Sequence, residues 1–301
     1  MTDMSFDDEI AAVLAEATVT GPPPPLRAAT LARARSGRRP GRPLDAAPAC
    51  EPLVAFDRTV ADLDDLLRSL TSDEWNAPAH AEHGRVHDLV AHLLGVDRLV
   101  LRWLDPRDSV PDLPDHVAAT RPVVAELAGS DPGDIVRRWH DGARAVAAAA
   151  AGNRTRPVVF HDITITVDQL LATRTGEMWA HAIDICLATG RPLPQLDMER
   201  MAMLCSQLVA AVPLALAYRG TIAAGRAARI VLTGPAGGAF VVPLAPRDEA
   251  VEPEVTIVAD AVDFCRVAVR RLRPDQLDAA IEGDRALGDL VLTSIDALAR
   301  D

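Results

Sequence analysis

Over long stretches of this chain apolar residues return every three or four positions. Leu53, Phe56, Val60, Leu63, Leu67 and Leu70 share one helical face, with Asp and Arg on the other. TSDEW interrupts that run. VHDLVAHLLGVDRLVLRWL then predicts a second helix ending at Leu104, ahead of the breaker-rich DPRDSVPDLPD. A shorter helix containing Pro122 follows. Asp131 offers an N-cap with Pro132 at the first helical position, and DIVRRWHDGARAVAAAAAG runs on to Gly152. After the connecting segment NRTRPVVFHDI, a fourth long helix starts near Thr166, and Gly190 and Pro192 close it. Four long amphipathic helices with polar connections predict a four-helix bundle. MERMAMLCSQLVAAVPLALAYRG adds a fifth helix, which Pro213 should kink.

Beyond Gly220 the period shortens. ARIVLTG and GAFVVPLA flank GPAGG as a hairpin, and EVTIVAD and LDAAIEGD read as further strands. Helices AVDFCRVAVRRL and RALGDLVLTSIDALAR lie between and after them. The fold class is therefore α+β, with a helical bundle over residues 51–219 and a small α+β domain over 220–301. Residues 1–50 stand apart: GPPPP and the Arg-rich LRAATLARARSGRRPGRP hold too few large apolar groups for a core. They predict a flexible arm that could dock on a protein partner.

The net charge of −12, with 31 basic residues against 43 acidic, disfavours nucleic acid as a main ligand, because phosphates are held mainly by Lys and Arg. All the basic residues are Arg, so Schiff-base chemistry through lysine and P-loop nucleotide binding are excluded. No uncharged, wholly apolar run reaches the ~18 residues of a membrane span, and MTDMSFDDEI lacks the order of a signal peptide. The expectation is a soluble cytoplasmic protein without a membrane partner. Cys50, Cys186, Cys205 and Cys265 are widely spaced and predict reduced, buried thiols.

Chemistry concentrates in RTGEMWAHAID. Glu177 and His181 lie one turn apart, nearly on one azimuth of an apolar helix. Burying Glu177 without a partner costs several kcal/mol, so it is either near the surface or neutralised. His92 in DLVAHLLG is a lone imidazole among aliphatic neighbours. If the second and fourth helices touch, His92, Glu177 and His181 could hold Zn²⁺ with one position open. Asp88 and Asp184 could orient the two imidazoles. The alternative is a pair of core histidines, with Glu177 paired to Arg174. His80, His83 and His87 read as solvent-exposed capping residues, and His116, His140 and His161 carry no spacing signal.

DLVAHLLG followed by the pattern R-x-x-E-x-x-x-H-x-x-D-x-x-x-A-x-G, fitted by Arg174, Glu177, His181, Asp184, Ala188 and Gly190, resembles the mycothiol-dependent maleylpyruvate isomerase family. That family is a branch of the DinB-like metal-binding bundles. LTSDEWNAPA sits where the family has a similar Trp-containing turn, and RIVLTGPAGGAFVVPL with AAIEGDRAL extends the resemblance into the family's sterol-carrier-like C-terminal domain. The resemblance implies metal ligands His92, Glu177 and His181, and a divalent ion, zinc first. It also implies mycothiol as the nucleophilic cosubstrate for isomerisation of, or S-transfer to, a small electrophile. An Arg of FCRVAVRRLRP, best placed at Arg271, is implied to steady a substrate carboxylate. The competing expectation is a non-catalytic metal- or thiol-binding regulator that uses the arm as its docking segment.

Overall fold

The computed structural model describes residues 46–299 except 106, 108–115, 161, 162, 247 and 250. The arm expected over residues 1–50 therefore lies outside the described residues up to position 45.

Helix α1 (Pro52–Arg68) buries Phe56, Val60, Leu63 and Leu67, the stripe its spacing predicts. After a short 3-10 turn that buries Trp75, strands β1 (Pro78–His80) and β2 (Gly84–Arg85) form a tight antiparallel hairpin. The hairpin runs directly into α2 (Val86–Leu104), and α3 (His116–Leu127) follows with Pro122 inside it. Helix α4 (Pro132–Ala151) starts as its sequence dictates: the Asp131 carboxylate accepts the Gly133 N–H at 2.9 Å.

NRTRPVVFHDI is more than a connection. β3 (Pro157–Phe160) and β4 (Ile163–Thr166) pair antiparallel, with Val158 opposite Ile165. Their β-branched residues suit a half-buried ladder. β4 ends in the cap of α5 (Val167–Thr189), where Thr166 and Gln169 exchange side-chain and backbone hydrogen bonds. Gly190 ends α5 at φ 67°, the left-handed conformation that glycine tolerates best.

α5 lies between two cores. Leu170, Leu171, Met178, Ala182 and Ile185 pack into the bundle with α1, α2 and α4. Ala172, Trp179 and Ile183 pack toward α6 (Met198–Ala210), α7 (Val212–Tyr218) and the sheet. The single kinked helix expected here is two helices bent by 48°, because Pro213 cannot continue the ladder of α6. No single helix among the described residues is long and apolar enough to cross a membrane.

The C-terminal sheet has the order β6 (Gly238–Pro243), β5 (Ala227–Thr233), β7 (Val255–Asp260), β8 (Ala280–Gly283), with β5 and β7 parallel. Helices α8 (Ala261–Ala268) and α9 (Arg285–Ser294) bury Phe264, Val267, Leu287 and Val291 in the same core. α8 stops four residues short of its expected end at Leu272. Arg270 takes φ 57°, and the Arg271 and Leu272 N–H groups both turn back to the Arg266 carbonyl. That reversal points the chain at Arg271 toward α5. The four cysteines form no disulfide; Cys186, Cys205 and Cys265 are buried and Cys50 is half-buried.

Candidate metal centre

On α5, Arg174, Glu177 and His181 follow one another at three and four residues and so share a face. α2 brings His92 against them. His92 and His181 are each 1% exposed, their ring centroids lie 5.6 Å apart, and His92 Nε2 is 3.5 Å from Glu177 Oε1. The three side chains expected to meet do occupy one space, although they do not form one equidistant set.

The nearest third imidazole belongs to His83, which stacks on His92 at 3.9 Å and lies 5.3 Å edge-on from His181. One ring nitrogen from each of His83, His92 and His181 falls within 4.8 Å of the others. This corrects the expectation of exposed capping residues. His83 is 8% exposed because the β1–β2 turn folds it inward, over the positive φ of 85° at Gly84. His80 lies beside it, 4.7 Å from the His83 ring. His87 is buried too but faces the Ser130 carbonyl and Asp88.

Each helical histidine has its tautomer fixed by a different partner. The Thr120 hydroxyl gives its proton to the Val117 carbonyl at 2.8 Å, so its oxygen accepts from His92 Nδ1–H at 2.8 Å. That leaves Nε2 as the nitrogen carrying a lone pair. The expected orienting residue, Asp88, is instead held by Arg85 as part of the α2 cap. Thr120 can come this close because Gly95 lacks a side chain, since a Cβ there would lie 2.8 Å from Thr120 Cβ.

His181 Nδ1–H donates to Asp184 Oδ2 at 3.0 Å, as the i,i+3 spacing suggested. Arg271, from the C-terminal domain, grips that carboxylate through Nε at 2.9 Å and Nη2 at 2.5 Å, and donates Nη1 to the Val269 carbonyl. Burial pushes the Asp184 carboxyl up, but its bonds from His181 and Arg271 more than offset this and hold it below the usual carboxylate range. Arg271 therefore reaches the site, yet its fork is taken by Asp184, the position where a substrate carboxylate was expected.

Glu177 is likewise shared. Its Oε2 contacts Arg174 Nη1, while Arg174 Nη2 donates to Asp97 Oδ1 at 2.8 Å in a buried ion pair. Burial pushes the Asp97 carboxyl up and Arg174 opposes it. Glu177 thus has one oxygen paired to Arg174, as the alternative reading expects, and the other turned to His92.

The donor set fits a borderline-soft divalent cation. A tetrahedron with metal–nitrogen bonds of 2.0–2.1 Å has edges of about 3.4 Å, so each ring would move by less than about an ångström. Alongside runs a cavity of 320 Å³, lined by α5 from Gln169 to His181 and closed by α6, α7 and the Ala268–Arg271 segment. Sequence reasoning missed His83 and Thr120. The signals present were the HAEHG turn before α2 and a glycine three residues after His92.

Residues 56–186 match the family model described as the mycothiol maleylpyruvate isomerase N-terminal domain. Two uncharacterized proteins of Mycobacterium tuberculosis, from different strains, are each 26% identical over 156 residues, which is 50% of this chain and 76% of theirs. The crystal structure of the mycothiol-dependent maleylpyruvate isomerase aligns with a TM-score of 0.53 at 17% identity, covering 76% of this chain and 92% of that one. A mutant of that enzyme gives 0.52 at 16%, with the same coverage. The likeness extends across the bundle and into the C-terminal domain, so the two-part α+β architecture is shared.

Proposed function

Because residues 56–186 match the family model of the mycothiol maleylpyruvate isomerase N-terminal domain, we propose that this chain is a member of that family and a metal-dependent enzyme that uses a low-molecular-weight thiol, mycothiol, on a small electrophile. The reaction is isomerisation about, or sulfur addition to, an activated double bond. His92, Glu177 and His181 hold the divalent ion, zinc first, with His83 poised beside them. Such an ion supplies positive charge that makes thiolate available near neutral pH.

The observation that supports this most is the pair of locked imidazoles. Thr120 and Asp184 each occupy an Nδ1–H, so in both rings Nε2 is the nitrogen that carries the lone pair. Arg271 acts as a positioning residue, holding Asp184 against His181. Arg174 neutralises Asp97 and orients Glu177. The cavity beside His181, shared with the C-terminal domain, favours an enzyme over a regulator with a closed site.

The test is metal analysis of the purified chain together with mycothiol-dependent turnover of maleylpyruvate and simple enones. About one ion per chain is expected, lost in His92→Ala and in His181→Ala along with turnover. Retention of the metal by both variants overturns the ligand assignment. Comparing Glu177→Gln with His83→Gln then tells which of the two completes the set.

A further inference from the structure

We propose that the electrophile is an uncharged activated alkene, an enone or enal, bearing a long apolar tail rather than a small dicarboxylate. This rests on the thiol-transfer reading above and adds the class of its second substrate.

The cavity carries the argument. Its wall follows α5 from Gln169 to His181, about 18 Å at 1.5 Å per residue, so it is a channel leading away from the imidazoles. Its volume of 320 Å³ sits at the small end of ligand pockets, roughly 300–1,000 Å³. The ionised side chains on its wall, Arg174, Glu177 and Arg271, are all committed to protein partners: Arg174 to Asp97 and Glu177, Arg271 to Asp184. The remaining polar side chains are the His181 imidazole at the site end, held by Asp184, the Trp103 indole, and neutral amides and hydroxyls. Trp103, Phe160, Ile165, Leu208 and Leu214 make up much of the rest, with Trp103 and Phe160 edge to face at 5.6 Å. A second carboxylate in that stretch would be desolvated without a partner and cost several kcal/mol. An alkyl tail gains from the same wall at about 0.8 kcal/mol per buried methylene.

In the reaction the thiol gives its proton to solvent and the sulfur bonds to the β-carbon. The double-bond pair moves onto the carbonyl oxygen as an enolate, and the α-carbon then takes a proton from water. The product is a thioether, with no net oxidation.

The full chain, loaded with zinc and supplied with mycothiol, is assayed on pentyl vinyl ketone, methyl vinyl ketone and maleylpyruvate. Pentyl vinyl ketone should exceed both others in kcat/KM by at least about tenfold. Binding of the unreactive ethyl pentyl ketone is followed separately by calorimetry. Ala211→Trp fills the channel and Leu214→Asp charges its wall; each should abolish the tail preference and weaken ketone binding. Equal or better turnover of maleylpyruvate, or ketone binding untouched by both variants, overturns the inference while leaving thiol transfer standing. No turnover of any electrophile defeats the thiol reading instead, and ketone binding then still decides the ligand class: binding lost in the two variants supports it, no binding overturns it.

Discussion

His92 and His181 present the same ring nitrogen to the same space, yet the two halves of the molecule hold them by opposite means. The lock on His92 is neutral and lies within the bundle: one threonine hydroxyl, itself tied to the Val117 carbonyl, accepts the Nδ1 proton. The lock on His181 is ionic and reaches outside the bundle, through Asp184 to Arg271 on the segment after α8. A neutral hydrogen bond between buried groups is cheap to desolvate and sets orientation only. A buried carboxylate also adds electron density to the imidazole, and it binds the C-terminal domain to the helix that carries His181.

Removing the ionic lock should give the largest effect. Asp184→Ala leaves the Arg271 guanidinium, 6% exposed, without its carboxylate. Breaking such a buried pair costs ~3–5 kcal/mol, and loss of a ligand's outer partner costs ~10–100-fold in metal affinity. Urea unfolding of the apo chain and zinc competition with a chelator read the two separately. The comparison breaks if Asp184→Ala costs no more than removal of the neutral lock.

Thr120→Val is that removal, and it keeps the shape. The His92 Nδ1–H loses its acceptor inside the bundle, worth ~1–3 kcal/mol, with metal affinity falling by about tenfold, the low end of the outer-partner range. Thr120→Ser should restore both, because the hydroxyl alone makes the bond. If Ser fails where Thr succeeds, the methyl packing against Gly95 matters more than the hydroxyl.

These two locks also mark the limit of what the chain disclosed before folding. Asp184 was legible because it sits one turn beyond His181 on the same helix, where spacing dictates contact. Thr120 was not, because its reach to His92 depends on α3 docking over Gly95, a tertiary approach without a periodic signature. Asp88, four residues before His92, had the right spacing and the wrong duty, since capping α2 claims it. His83 was misread because a two-strand hairpin of three and two residues offers no alternation to detect, and its inward turn hangs on the backbone angle at Gly84. The long helices and their caps were legible for the opposite reason: Thr166 with Gln169, Asp131 with Pro132, and Gly190 are local devices. The β3–β4 hairpin and the early end of α8 at Ala268 were missed, the first passed over as a connection despite its β-branched residues, the second because Arg270 rather than a glycine takes the positive φ that follows it.

A smaller effect sharpens the comparison from a third side, the hairpin that carries His83. Glu74, just before β1, accepts from Arg191, just after α5, at 2.8 and 2.9 Å. The pair thereby ties the start of the His83 hairpin to the end of the His181 helix. The Arg191 bond, with the Thr71 N–H, lowers the Glu74 carboxyl to about 2 from an ordinary 4.5. A folded value below the unfolded one means that the unfolded chain takes up the proton first as pH falls. The stabilisation is therefore complete above about pH 4.5 and drains away as pH drops toward 2. Glu74→Gln should lower Tm by a constant small amount from neutral pH down to that point, and the two curves should converge below it. The pair is partly exposed, so the offset should also shrink in high salt. Parallel Tm curves all the way down the acid limb would mean that Glu74 holds the hairpin by shape alone, leaving the ionic style of locking confined to Asp184 and Arg271.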